Sequence, residues 1–161
     1  MVSLNFSSFS TFGSMKPGEF QTFSVSSLKM CFKRLRFKKS DETTSGDPSL
    51  DGDNLDFYLG EVTISSLGTS LGSVAVPPGD YQRVEFDLED SCPSSNSLEV
   101  TNSNGSYTTG DRITIKFEGN FSLGTDDANL DLNIQQIMTA LDSVSSDGDI
   151  RTQAESVSGS F

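Results

Sequence analysis

Along most of this chain large apolar side chains alternate with polar ones, the period-two pattern of a half-buried β-strand. The clearest run is Val74–Leu88, V-A-V-P-P-G-D-Y-Q-R-V-E-F-D-L. A short apolar strand ends at Pro77-Pro78-Gly79-Asp80, and a strand carrying Val84, Phe86 and Leu88 leaves it. Proline has no N–H to donate to a ladder, and the Pro-Gly pair predicts a type II turn with Gly79 at positive φ. Upstream, Leu28, Met30 and Phe32 keep one parity, while Leu35 and Phe37 take the other. One extra residue at Lys33-Arg34, a β-bulge, accounts for that switch.

The same alternation recurs at Leu55, Phe57 and Leu59, then at Val62 and Ile64 across Gly60. It returns at Leu98 and Val100, at Ile113, Ile115 and Phe117, at Phe121 and Leu123, and at Leu130, Leu132 and Ile134. Turn-forming stretches separate these runs: 40–54, 65–73, 93–97, 101–106 with its Asn-Gly, and 124–127. Residues 1–23 hold Phe6, Phe9, Phe12, Phe20 and Phe23 as anchors for one or two more strands, interrupted at Lys16-Pro17-Gly18. One segment breaks the pattern. Ile134, Ile137, Met138, Leu141 and Val144 fall on one helical face and predict a short helix packed on a sheet edge. The resulting expectation is an antiparallel β-sandwich of about seven or eight strands, immunoglobulin-like or transthyretin-like, with one short C-terminal helix. Residues 1–144 form the domain, and the polar residues 145–161 read as a flexible tail.

Composition narrows the function more than it defines it. The 161 residues carry a net charge of −12 and no histidine. Such acidity repels phosphate backbones and anionic headgroups, so nucleic acid and the bare membrane surface are poor partners. Without histidine the commonest general base, the serine–histidine triad and the usual catalytic zinc site are missing. No nucleophile is paired with a base, so the reading is non-enzymatic, with no cofactor and no metal.

Cys31 and Cys92 are too far apart in sequence for a CxxC motif. Either they pair in an oxidising compartment or both are buried thiols; the even count and extracytoplasmic composition favour a structural disulfide. No run reaches the length of a membrane-spanning helix, and the first ten residues lack the basic and apolar regions of a leader.

The basic run Lys33-Arg34-Leu35-Arg36-Phe37-Lys38-Lys39 reads as a solvent-facing strand flank whose cations meet carboxylates on neighbouring strands. Two acidic clusters raise the question of calcium: Asp47, Asp51, Asp53 and Asp56, and then Asp126, Asp127, Asn129 and Asp131. Neither fits the EF-hand spacing, and solvated loops are the expectation. Three sequons, at Asn5, Asn104 and Asn120, are expected by chance in a chain so rich in asparagine and serine.

The order of motifs resembles an uncharacterised family of bacterial cell-envelope lipoproteins with a transthyretin-like or immunoglobulin-like β-sandwich. Phe23–Phe37 (F-S-V-S-S-L-K-M-C-F-K-R-L-R-F), the strand Leu55–Leu59, the turn Val76–Phe86 and the block Ile113–Ile134 carry the likeness. The turn is akin to the Pro-x-Gly-x-Tyr hairpin of fimbrillin-type surface proteins. The resemblance implies location and architecture: an extracytoplasmic protein of periplasm, outer membrane or cell surface. Any membrane attachment would be through a lipid anchor missing from this chain. The expected role is structural, adhesive or binding, with other envelope or surface proteins or glycans as partners. The alternative is a calcium- or carbohydrate-binding domain using the acidic loops and Tyr58, Tyr81 or Tyr107.

Overall fold

The computed structural model describes residues 2–9, 25–39, 54–64 and 69–161, with Phe9 and residues 54–59 described by backbone alone. Among the described residues ten strands and two helices follow one another: β1 (Val2–Phe9), β2 (Ser27–Lys39), β3 (Asn54–Thr63), β4 (Thr69–Val76), β5 (Gly79–Leu88), β6 (Leu98–Asn102), β7 (Gly105–Thr109), β8 (Ile113–Leu123), β9 (Ala128–Asn133), α1 (Gln135–Asp142), α2 (Asp149–Glu155) and β10 (Ser158–Ser160). They form one curled, mixed sheet, a half-barrel, in the hydrogen-bonded order β4-β1-β9-β10-β8-β5-β2-β6-β7, with β3 also on β2. The expected antiparallel sandwich is therefore wrong. Two parallel pairs, β1 with β9 and β10 with β8, set both ends of the described chain inside a single sheet.

The predicted bulge is where the alternation placed it. The register of β2 slips between Phe32 and Arg34 against both β3 and β5, which lets Leu28, Met30, Phe32, Leu35 and Phe37 all face inward. Lys29 is opposite Thr63 on one side and Glu99 on the other; Phe32 is opposite Gly60 and Leu88. Hence β5 and β6 share one edge of β2, and β6 resumes the line of β5 after the excursion 89–97. Similarly, β7 pairs with β6 and β8 with β5, so β5 to β8 form one long ribbon with an interruption in each leg. At the interruption Ser97 N–H donates to Thr109 O at 2.8 Å, and its hydroxyl donates to the carbonyls of Thr109 and Asp111.

Curvature lets inward side chains from distant strands meet. Phe6 on β1 lies 5.6 Å edge-on from Phe86 on β5 and 6.1 Å from Phe37 on β2. Phe86 in turn packs edge-on against Phe32 at 5.4 Å and Phe117 at 5.8 Å. Edge-to-face pairs add about 0.5–1.5 kcal/mol each beyond the area they bury. The Phe-rich composition thus supplies one core under one curled sheet.

At the Pro-Pro-Gly corner Gly79 has φ +157°, which is positive but far from the angle of a type II turn. Gly79 is already the first residue of β5. The corner is held instead by Tyr81, fully buried, whose hydroxyl donates to Pro77 O at 2.7 Å.

The helix predicted from Ile134–Val144 forms as α1 and buries Ile137, Met138 and Leu141. Asn102 receives its C-terminal end, donating from Nδ2 to Leu141 O at 3.1 Å and Val144 O at 2.8 Å. The segment 145–161 departs from the expected tail: it carries a second helix, with Ile150 and Ala154 fully buried, and then β10. β10 lies between β8 and β9, pairing Ser158, Gly159 and Ser160 with Lys116, Phe117 and Glu118, and Ser160 with Asn133. Among the described strands it alone joins β4-β1-β9 to the rest of the sheet.

Candidate functional surface

A space beneath Met30, Phe32, Leu71, Ile115, Phe117 and Ile137 amounts to about 10 Å³, the volume one water centre requires, and Ser8 lines it, its Oγ without a hydrogen-bond partner among the described residues. A shallower cleft of about 260 Å³ opens between Ser26, Ser27 and Leu28 of the β2 entry, Thr63 at the end of β3, Ile64 just beyond it, and Met138 of α1. It is lined by hydroxyls and aliphatic groups and holds no ionisable side chain.

The outward side chains make two unlike faces. On β1 and β9, which run parallel and in register, polar groups pair rung by rung. Asp127 Oδ1 accepts from Ser3 N–H at 3.1 Å, Asn5 Nδ2 donates to Asn129 Oδ1 at 3.0 Å, and Ser7 Oγ donates to Asp131 Oδ1 at 2.6 Å. No lysine or arginine occurs in β1, β4 or β9. On β2, β5 and β8 the outward positions carry both signs. Asp87 is completely buried and accepts at 2.8 Å from Arg36 Nη2, Arg112 Nη2 and Thr114 Oγ1. Arg36 also reaches Glu85 at 3.0 Å, and Arg83 Nε lies 2.8 Å from Glu85, an ion pair without a hydrogen bond at that nitrogen.

Each site residue proposed from sequence has a definite place or lies outside the described residues. Cys31 and Cys92 form a disulfide, both sulfurs buried. It sits where β2 changes partner: Cys31 N–H donates to Ser97 O, and Cys31 O accepts from Glu89 N–H. The bond thereby fixes the excursion 89–97 against β2. Of the basic run, Arg36 meets carboxylates on the neighbouring β5 as expected, although it is buried rather than at a solvated flank.

The first acidic cluster falls outside the described residues except for the backbone of Asp56. In the second, Asp127 just before β9 and Asn129 and Asp131 on it take alternate positions along the chain, each bonded to β1. Strand geometry keeps such positions about 6–7 Å apart, so their carboxylates do not converge on one ion. Among the described residues no group of three acidic, histidine or cysteine side chains could hold a metal. Tyr81, considered as an exposed ligand contact, is core; Tyr107 is half-buried and donates to Asn104 O at 2.9 Å; the Tyr58 side chain is not described. The sequon asparagines Asn5, Asn104 and Asn120 are all exposed.

Among the described residues one carboxylate has a displaced pKa. Asp149, half-buried at the start of α2, is held below the usual carboxylate value, chiefly by the hydroxyl of Ser146 and then by backbone donation from Ser145.

The sequence pattern points to cations of β2 meeting carboxylates on neighbouring strands but does not mark Asp87 as their shared, buried acceptor. Its signal is the outward parity of R-V-E-F-D-L, which sets Arg83, Glu85 and Asp87 opposite the alternate residues of β2 and β8. No family model, curated protein or solved structure matches the chain. No described helix is long and apolar enough to cross a membrane.

Proposed function

We propose that this chain is a non-enzymatic module of a bacterial cell envelope, or a secreted one, that acts through its outer surface in a structural, adhesive or binding role. The observation that carries this reading is the buried disulfide between Cys31 and Cys92. In this reading recognition falls to the outward faces and strand edges, with other envelope or surface proteins or glycans as partners. The buried disulfide supports an oxidising, extracytoplasmic setting, since cytosolic reductants keep most such thiols reduced. The paired Ser, Asn and Asp rungs on β1 and β9 support long residence in water, because their polar groups already have partners.

Fractionation of the native host, with protease treatment of intact cells and thiol labelling before lysis, tests the proposal. The expected result is an envelope or culture-fluid protein without labelled cysteines. A cytoplasmic protein with two labelled thiols would overturn it.

A further inference from the structure

The β6–β7 hairpin holds the end of α1, and the link that follows it, through two asparagines. Asn102, buried at the end of β6, donates from Nδ2 to the carbonyls of Leu141 at 3.1 Å, Asp142 at 3.3 Å and Val144 at 2.8 Å. Asn104, two residues on, donates from Nδ2 to the same Val144 carbonyl at 3.2 Å. On β7, Thr108 N–H donates to Asp147 Oδ1 at 3.0 Å. Residues 141–147 are thus clasped to the hairpin, and each contact sets a hairpin donor against an acceptor of the clasped segment.

The two amides differ in their surroundings. Asn102 is buried and followed by Ser103, whereas Asn104 is exposed at the tip and followed by Gly105. Glycine has no Cβ to hinder approach to its nitrogen, so in an Asn-Gly pair the backbone nitrogen most readily attacks the preceding side-chain amide. Asn104-Gly105 is the only such pair in the chain. The turn keeps glycine there: Gly105 has φ +145°, and a Cβ on it would stand 3.2 Å from the Tyr107 hydroxyl. The backbone of Asn104 is held by Asn102 Oδ1, 2.8 Å from its N–H, and by the Tyr107 hydroxyl on its carbonyl. Attack therefore waits on local opening of the tip, a low-cost motion at an exposed hairpin end.

We infer that Asn104 is a self-modification site, at which spontaneous deamidation loosens the hairpin's hold on the end of α1. Gly105 N bonds to Asn104 Cγ and the Cγ–Nδ2 bond breaks; the Gly105 proton leaves with the amide nitrogen as ammonia. Water then opens the cyclic imide at either carbonyl, giving aspartate or isoaspartate. Water is the only reactant, so the step is independent of the compartment proposed above. Either product replaces an N–H donor by a carboxylate that only accepts. That carboxylate faces the Val144 carbonyl, itself an acceptor, beside the C-terminal end of a helix, where negative charge is unfavourable. Asp142 and Asp147 on the clasped segment carry the same sign.

The test ages the intact protein in mildly alkaline buffer, where the Gly105 N–H gives up its proton more readily, and maps its peptides by mass. The expected result is conversion at Asn104 ahead of every other described asparagine, with aspartate and isoaspartate both formed. The aged protein should melt about 2–4 °C lower, the shift a lost contact brings in a chain of this length. The amides of Ser143 and Val144, bonded to the carbonyls of Ala140 and Leu141, should exchange faster. Asn104→Asp, which introduces the carboxylate without ageing, should reproduce both changes. Asn104→Gln, whose longer side chain closes the ring far more slowly, should stay unmodified and keep its melt through the same ageing. Asn104 unconverted when a blocked peptide of residues 101–108 has fully reacted overturns the inference. So does conversion of Asn102 or Asn129 first, or a converted protein with unchanged melt and exchange. An equal loss of stability in aged Asn104→Gln would place the ageing elsewhere and also overturn it.

Discussion

A side chain on Gly159 would collide with the ring of Phe117: its Cβ would stand 2.5 Å from Cε1, and 2.6 Å from the carbonyl of Asn133 on the other side. The two neighbours belong to β8 and β9, the strands between which β10 is inserted. Gly159 is buried, so the fit of a bare backbone there lets the last strand join the sheet.

Gly159→Val is accordingly expected to be among the most damaging single changes, at about 3 kcal/mol or more, because backbone as well as ring must move. Thermal and denaturant melts check it. Gly159→Ala paired with Phe117→Leu should recover only part of the loss, since the Asn133 carbonyl remains in the way.

Replacing Cys31 and Cys92 by serine should lower stability by about 4 kcal/mol, the chain-entropy value for a closed loop of this length. The sequence separation is 61 residues. Denaturant midpoints of the oxidised protein and the double variant measure the difference. Exchange of the amides in 89–97 should rise more than that of β8, because the bond holds that excursion to β2.

Asp87→Ala should cost about 3 kcal/mol, since it removes the buried acceptor shared by Arg36, Arg112 and Thr114 and leaves Arg36 with Glu85 alone. The paired change Arg36→Met with Asp87→Leu should cost clearly less, because it leaves neither buried charge uncompensated at Asp87. A double-mutant cycle in denaturant gives the coupling directly.

Millimolar calcium should raise the melting temperature no more than sodium chloride of equal ionic strength. A bound ion at a hundredfold excess over its dissociation constant would add about 2.7 kcal/mol. Asp127 and Asp131 are tied to β1 at separate rungs, so nothing draws their carboxylates together. A calcium-specific rise abolished by Asp126→Asn with Asp127→Asn would contradict this placement.

Much of the local structure was legible in the residues. The parity switch at Lys33-Arg34, the strands through Phe86 and Ile115 and the helix on Ile137 and Leu141 follow from spacing, while composition favours the pairing of Cys31 with Cys92 over two buried thiols without deciding it. The architecture did not follow. Alternation tells which side chains face inward, and Phe6 and Phe86 would face inward in a sandwich as in a half-barrel. What separates the two is which strands are neighbours, and a parallel pair such as β1 with β9 leaves no mark in either strand. The C-terminal segment was misread for a different reason. Ser158-Gly159-Ser160 has no apolar alternation because its central residue must have no side chain.

The sheet is completed by β10, and amide hydrogen exchange within 158–160 of the intact protein is the most direct check. Slow exchange is expected at the β10 amides that bond to its neighbours, approaching that of Ile115 and Phe117 in β8. Exchange at the rate of an unstructured peptide, while β8 stays protected, would contradict it.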